Sequence, residues 1–204
     1  VQNGTLTQSS TVATGDVLVY QIKASGLYGA YNASNGNLSK LASQYELQLT
    51  QQNPGPNRNP KMLNWSHASG ISSFADPAHN TLYIAINTNK NVFYRGGNTM
   101  AMQSGESYNS TFTVKSGGYL ASNNQTVSTM VSATKPSVSL NTNSNGTIMV
   151  MNASGQNITG TSTLAPGTTL QLTIKSNSKN APFILSPTTT VGPNGTFSAM
   201  ANMS

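Results

Sequence analysis

The sequence lacks cysteine altogether and is poor in charge, with four acidic residues, two histidines and 7% charged residues among 204. Without cysteine the chain has no disulfide framework of the kind that stabilises many small secreted domains. The acids Asp16, Glu46, Asp76 and Glu106 form no pair within a short segment for glycosidase-type acid and base catalysis. These absences predict that the protein is not an enzyme and has no catalytic or metal-binding residues.

The scarcity of acids leaves a formal net charge of +6 and a pI near 9.7. The ten Lys and Arg are scattered and never form a run, whereas binding to phosphates needs them gathered on one face. We therefore expect no nucleic-acid partner. A surface with few carboxylates also changes charge little when Asp and Glu protonate, at about pH 4. The composition is thus consistent with an acid habitat or, equally, with an ordinary glycoprotein.

Long hydrophobic runs are also missing. No stretch approaches the roughly 18 to 20 apolar residues of a membrane span, and the chain begins at Val1 without a signal segment. This pattern predicts a processed, secreted chain without a membrane span. It also argues against a type IV pilin, which has a long apolar N-terminal helix.

Asn-X-Ser/Thr sequons are abundant. Composition alone gives about six by chance, and the sequence contains eleven. The candidate glycosylation sites are Asn3, Asn32, Asn37, Asn64, Asn109, Asn124, Asn145, Asn152, Asn157, Asn194 and Asn202. Since a glycan cannot be buried, their spread predicts N-linked sugar over much of the surface. Apart from these glycans, no cofactor is expected.

Short alternating apolar runs bounded by Gly, Asn, Pro and Ser predict an all-β fold, and no window has a sustained helical pattern. The predicted strands are 17–24, 45–50, 81–87, 110–115, 127–133, 147–152, 168–175 and 196–200. The stretch 61–80 is less regular and is expected to form a long excursion over the sheets.

The predicted domain organisation has three parts. Residues 1–14 form an uncharged extended segment, 15–135 a larger β-domain and 136–204 a smaller one, because Pro136 interrupts strand pairing. Under the two-residue period of a strand, Leu6 and Val12 share one face of the N-terminal segment.

The C-terminal third carries a family resemblance. The Gly160-Thr161 strand, the Leu-Ala-Pro-Gly-Thr turn at 164–168 and the Gly-Thr-Phe-Ser strand at 195–198 resemble a β-sandwich module of archaeal surface glycoproteins. Asn194 stands where that family often has Asp before the final Gly. The resemblance covers about a quarter of the chain and implies a β-sandwich fold and a surface location. Together with the domain division above, the predicted fold is two immunoglobulin-like β-sandwich domains with an extended N-terminal strand.

Halophilic members of such families are strongly acidic, whereas this chain is basic. The overall profile therefore resembles the thread filament subunits of thermoacidophilic archaea instead. That resemblance implies an extracellular homopolymer in which the N-terminal strand, anchored by Leu6 and Val12, is donated to the neighbouring subunit. Two alternatives to donation of the N-terminal strand remain open: this segment forms an edge strand of its own domain, or the strand that begins at Thr196 is donated. The alternative function is an adhesin or carbohydrate-binding domain, with other surface proteins or cells as partners.

Three further constellations are weighed against ordinary structural roles. His67, Asp76 and His79, with Ser66 or Ser72, are more typical of a solvent-facing loop than of a metal site or hydrolytic triad. A Lys-to-Asn isopeptide crosslink would need a buried acid, for which Glu46 and Glu106 are the candidates. The aromatic residues Trp65, Tyr28, Tyr31 and Tyr45 are a candidate sugar-binding platform, although aromatics in β-proteins are more often core. The position of Trp65 inside a sequon predicts that it faces the surface.

Overall fold

The computed structural model describes residues 6–66, 68–116, 121–176 and 182–204, and these form two compact units. One unit is Ser9–Lys135, and the other comprises the described residues of Pro136–Ser204 with residues 6–8. The described residues contain seventeen strands, one α-helix and two short 3₁₀ helices. The protein is therefore all-β, whereas the immunoglobulin-like character of its units stays a prediction.

The larger unit contains two sheets. Its strands are β1 (Thr11–Ala13), β2 (Val17–Lys23), β3 (Tyr45–Gln51), β4 (Met62–Leu63), β5 (Ile71–Asp76), β6 (Thr81–Asn87), β7 (Phe93–Arg95), β8 (Asn98–Met100), β9 (Ser107–Val114) and β10 (Gln125–Thr134). One sheet has the order β1-β10-β9-β3-β4-β7-β8, and the other has the order β2-β6-β5. Apolar side chains from both sheets meet in one hydrophobic core.

Burial follows the sequence pattern of each strand. In β3 the alternating residues Tyr45, Leu47 and Leu49 are buried, because successive side chains of a strand point to opposite faces. In contrast, β6 is the central strand of its sheet and buries residues at adjacent positions. Both strands supply the core that fixes the position of the elements around them.

Helical structure in this unit is short. Helix α1 spans Leu27–Ala33, and the 3₁₀ helices span Leu38–Leu41 and Ala68–Gly70. Helix α1 follows Gly26 and is succeeded by a turn in which Asn35 and Gly36 have positive φ values of 55° and 72°. Two helical turns are too few to give a periodic signal in the sequence, so α1 is not predicted.

The smaller unit has three small sheets. Its strands are β11 (Val138–Leu140), β12 (Gln156–Ser162), β13 (Thr169–Gln171), β14 (Ile174–Lys175), β15 (Ile184–Leu185), β16 (Thr188–Thr190) and β17 (Thr196–Ala201). They pair as β11-β12-β17, β13-β16 and β14-β15. Phe197, Ala199 and Ala201 alternate on the buried side of β17, and Gly160 of β12 leaves room for the Phe197 ring.

The predicted strands at 17–24, 45–50, 81–87, 110–115, 127–133 and 196–200 are confirmed as β2, β3, β6, β9, β10 and β17, and the predicted strand at 168–175 is divided into β13 and β14. Two predictions about regular structure are wrong. Residues 147–152 form no strand, and with Met149 and Met151 85% and 71% exposed this run has no sheet partner among the described residues. The stretch 61–80 is not an irregular excursion, since it contains β5, which pairs with β6 along six residues.

Candidate functional site

The sequon asparagines lie predominantly on the surface. Of the ten that the structure describes, eight are exposed and Asn64 and Asn109 are half-buried. The exposed ones are Asn32, Asn37, Asn124, Asn145, Asn152, Asn157, Asn194 and Asn202. Asn3 lies outside the described residues. Both units therefore carry accessible asparagines, five sequons being described in each.

Local hydrogen bonds hold several of these side chains through the amide oxygen. Asn202 Oδ1 accepts from the Ser204 backbone N–H at 3.1 Å and from Ser204 Oγ at 2.7 Å. Asn124 Oδ1 accepts from the Ser116 N–H at 2.7 Å. N-glycosylation modifies the amide nitrogen, which these bonds do not engage, so both asparagines are oriented without being blocked.

Asn109 differs from the other sequon asparagines. It lies within β9, paired with Met130 of β10 on one side and Thr50 of β3 on the other. Its Nδ2 donates to Oγ1 of Thr111, the hydroxyl residue of its own sequon, at 3.4 Å. A glycan at this position would have to grow from the middle of a sheet, so among the described sequons Asn109 is held more tightly by strand pairing than the exposed asparagines are.

Glu106 and Glu46 each form an ion pair with a lysine. Glu106 is buried, and its Oε1 lies 2.6 Å from Nζ of Lys61, which is 1% exposed. Glu106 Oε2 accepts from the Tyr108 hydroxyl at 2.7 Å and from the Gln103 N–H at 2.8 Å. Burial, reinforced by Glu106, raises the pKa of Tyr108. The more exposed pair joins Lys115 Nζ to Glu46 Oε2 at 3.1 Å.

The Lys-to-Asn isopeptide crosslink that the sequence leaves open finds only part of its geometry. Lys61 Nζ contacts Glu106 and donates to the Ala101 carbonyl at 3.0 Å, and Lys115 Nζ contacts Glu46 and donates to the Ala42 carbonyl at 2.9 Å. These described contacts join a lysine to an acid without an asparagine amide. Glu106 and Lys61 therefore act as a buried structural pair.

The His and Asp loop forms a surface contact. His79 Nδ1 lies 2.6 Å from Asp76 Oδ2, and the His79 side chain is 71% exposed. The hydrogen bond from His79 is the main cause that lowers the pKa of Asp76. His67 lies outside the described residues. Among the residues that the structure describes, no group of three or more His, Asp or Glu could hold a metal ion.

An aromatic cavity of about 580 Å³ lies within the larger unit. It is lined by Leu27, Gly36, Asn37, Leu41, Ala42, Tyr45, Glu46, Leu47, Gln48, Met62, Leu63, Trp65, Ile71, Ser72, Ser73, Leu82, Ile84, Tyr94, Phe112 and Lys115. Its volume is within the range of small-ligand sites.

The cavity brings together two of the four aromatic residues of the predicted sugar-binding platform. Trp65 and Tyr45 both line it, whereas Tyr28 and Tyr31 are not among the lining residues. Trp65 is half-buried, and its Nε1 donates to the Leu47 carbonyl of β3 at 3.0 Å. The expectation that Trp65 faces the surface holds only in part, because this bond and its packing against the core turn one side of the indole towards the sheet. Tyr94 and Phe112 also line the cavity, and their place depends on strand pairing that the sequence does not specify.

Within the candidate donor segment, the described residues 11–13 form a strand, β1, of the chain's own sheet. β1 pairs in parallel with β10, with Val12 opposite Ala133, and Val12 is buried in the core. Leu6 lies outside β1 and is 46% exposed, so the two predicted anchors have different environments. The C-terminal strand β17 pairs with β12 of its own unit.

The fold and its exposed sequons are typical of an extracellular β-protein. The chain matches no protein-family profile. It is 33% identical over 211 residues to a cell surface glycoprotein of Haloferax gibbonsii, a match that covers 100% of this chain and 24% of that protein. Cell surface glycoprotein 2 of Haloarcula hispanica is 30% identical over 222 residues, covering 98% of this chain and 24% of the relative.

The similarity supports an archaeal surface glycoprotein, and the location of the chain is the cell surface or the extracellular space. The chain spans about a quarter of the length of these relatives. The named relatives are haloarchaeal cell surface glycoproteins, so they lend no support to a thread filament subunit. In the part of the chain that is described, no helix has the length and apolar character of a membrane crossing.

Proposed function

We propose that the chain is a non-enzymatic structural segment of an N-glycosylated protein coat on an archaeal cell. The observation that supports this best is the presence of exposed sequon asparagines on both units of a β-rich chain. Similarity to haloarchaeal cell surface glycoproteins over the whole chain supports the same function. The partners are copies of the same protein or other proteins of the coat.

An exposed apolar segment supports assembly. Residues 148–151 belong to no strand, and Met149 and Met151 are 85% and 71% exposed. Exposed apolar patches commonly mark protein interfaces, and the β-branched and apolar side chains of this segment suit an extended, paired conformation. In an assembled coat this segment would gain the strand partner that it lacks among the described residues of a single chain.

Electron microscopy of cell envelopes and of the purified protein tests this function. We expect ordered sheets or filaments that an antibody against this chain decorates along their whole length. Reaction of the antibody with a soluble enzyme fraction, together with a purified protein that stays monomeric at all concentrations, would contradict a structural function.

Polymerisation by strand donation is the finer form of this proposal. β1 is at the edge of its sheet, is uncharged and buries both Val12 and Ala13, so it has the properties of a strand that two subunits can exchange. In the single chain the same groove is filled by the chain's own β1. Donation therefore requires that β1 leaves its own sheet and enters the sheet of a neighbour.

A cysteine pair distinguishes the two arrangements, because the chain has no cysteine of its own. Thr11 and Ser132 are neighbours across β1 and β10, so Thr11→Cys with Ser132→Cys places two thiols side by side. Oxidation of assembled protein should give a ladder of covalent oligomers if β1 is donated. A single monomeric band on the gel would contradict strand donation. Deletion of residues 1–14 gives a second test, since unimpaired filaments would also refute it.

The cavity favours a second candidate function, that of a carbohydrate-binding adhesin domain. Aromatic side chains and polar groups such as Gln48 and Lys115 line the same space, as sugar recognition requires. Titration of the unglycosylated protein with free saccharides, followed by the emission of the sole tryptophan, Trp65, tests it. An emission that does not respond to any saccharide would argue against the adhesin.

A further inference from the structure

We propose that the aromatic cavity of the larger unit binds the glycan attached to Asn37. The first sugar of this glycan packs against Trp65 and Tyr94. This inference rests on the proposed glycoprotein function. It assigns the cavity an occupant that is covalently part of the protein. It also separates Asn37 from the other exposed sequon asparagines, which would carry their glycans into solvent.

The position of Asn37 is the first argument. Asn37 is both exposed and part of the cavity lining, and it begins the sequon Asn37-Leu38-Ser39. A modified amide there would attach its sugar at the cavity wall. None of the other sequon asparagines that the structure describes is a lining residue, including Asn32 on the neighbouring helix α1.

The backbone around Asn37 is held in place. The Asn37 N–H donates to the Ser34 carbonyl at 3.2 Å, and the Asn37 carbonyl accepts from the Lys40 N–H at 3.1 Å. Gly36 has a φ of 72° and lies so close to Tyr31 that an added Cβ would be 3.1 Å from the phenol oxygen. This turn therefore presents Asn37 in a defined direction, which lowers the entropy that an ordered glycan would lose.

The chemistry of the lining is the second argument. A pyranose ring has faces of C–H groups that pack on aromatic rings and an edge of hydroxyl groups that need hydrogen-bond partners. Trp65 offers an aromatic ring whose orientation is fixed by its bond to Leu47, and Tyr94 is 39% exposed. Glu46 and Lys115 are partly exposed and offer an acceptor and a donor to hydroxyl groups.

Burial gives the third argument. The cavity lining includes apolar side chains that are only partly buried, such as Ile71 and Phe112, beside a space that is open enough to admit water. Covering aromatic and aliphatic surface with a sugar face removes it from water and stabilises the unit. A free saccharide would lose translational freedom on binding, whereas a sugar already attached to Asn37 would not.

The sole tryptophan provides the test. In protein glycosylated by its native host, Asn37→Gln should shift the Trp65 emission to longer wavelength and increase its quenching by acrylamide, because the ring loses its sugar cover. The matched control Asn32→Gln removes a nearby sequon that does not line the cavity and should leave both measurements unchanged. In unglycosylated protein Asn37→Gln should also have no effect, since only the glycan is proposed to act.

Proton NMR of the glycosylated protein gives a direct second readout. Ring protons of the Asn37-linked sugar should be shifted upfield by the aromatic rings and should show cross-relaxation with Trp65. A glycan on Asn37 with unshifted, solvent-like signals would overturn the inference. Glycopeptide mapping that finds sugars on other sequons but never on Asn37 would also overturn it while leaving the proposed function intact. A response of Trp65 only to free saccharide would favour the adhesin instead.

Discussion

The buried pair between Lys61 and Glu106 makes the sharpest prediction about stability. Lys61→Met keeps the length of the side chain but leaves the Glu106 carboxylate without its cation, 2.6 Å from where the Lys61 ammonium had been. Lys61 is 1% exposed, so little water can replace the ammonium. Removing one partner of a buried pair costs about 3 to 5 kcal/mol. This is a large part of the roughly 5 to 15 kcal/mol that stabilises a typical domain.

The larger unit also contains a second, more exposed ion pair that serves as a matched control. Lys115→Met breaks the ion pair between Lys115 and Glu46, whose side chains are 33% and 42% exposed, respectively. This change should lower the free energy of unfolding by less than about 1 kcal/mol. The double variant Lys61→Met with Glu106→Gln should cost less than the sum of its single changes, because no uncompensated charge remains buried.

Urea unfolding followed by the emission of Trp65 measures these free energies for the larger unit, which contains the tryptophan and both pairs. We expect Lys61→Met to lower the midpoint far more than Lys115→Met, with similar slopes. Equal losses for the two lysine variants would refute the reasoning, because they would mean that burial does not set the strength of these pairs.

Three further predictions follow from single side chains. Tyr45→Phe should stabilise the larger unit by about 1 kcal/mol, since the Tyr45 hydroxyl is buried without a hydrogen-bond partner among the described residues. Burial raises the pKa of Tyr20 from 10.0 to about 12. The folded state therefore holds this proton longer than the unfolded state, so stability is lost as pH rises from about 10 to 12, and Tyr20→Phe should reduce that loss. Gly160→Ala should destabilise the smaller unit by about 1 to 3 kcal/mol, because the new methyl group would collide with the Ser139 carbonyl and the Phe197 ring.

Each of these predictions has its own measurement and control. Urea unfolding at neutral pH detects the effect of Tyr45→Phe, and a loss of stability would mean that the hydroxyl is satisfied. Absorbance near 295 nm follows tyrosine ionisation, and a Tyr20 that titrates with the exposed tyrosines would contradict its burial. Circular dichroism on heating follows Gly160→Ala. Gly29→Ala, where nothing lies within 4 Å of the added carbon, should be neutral or stabilising.

Strand identity was predictable where one face of the strand is buried. Residues 45–50 and 196–200 alternate apolar and polar side chains, and β3 and β17 bury the apolar ones. The apolar run at 147–152 has strand-like composition but no described partner strand, because pairing depends on neighbours that are distant in sequence. β5 was not predicted, since residues such as Ser72 and Ser73 weaken its alternation.

The candidate sites were predictable as residue types but not as groups. The sequons are read directly from the sequence, and the exposure of most of them follows from polar turns around them. The cavity joins Asn37, which precedes the first 3₁₀ helix, with Trp65, which follows β4, and Tyr94 of β7, so it depends on the tertiary fold rather than on a local pattern. The Lys61 and Glu106 pair spans 45 positions and has no local signal.

Site-resolved glycopeptide mass spectrometry of the protein isolated from its native cell surface tests the central claim most directly. A glycosylated surface segment predicts N-linked glycans on exposed asparagines of both units, Asn37 among them, and little or none on Asn109 within β9. Unmodified asparagine at all eight exposed sequons of the described chain would contradict the account.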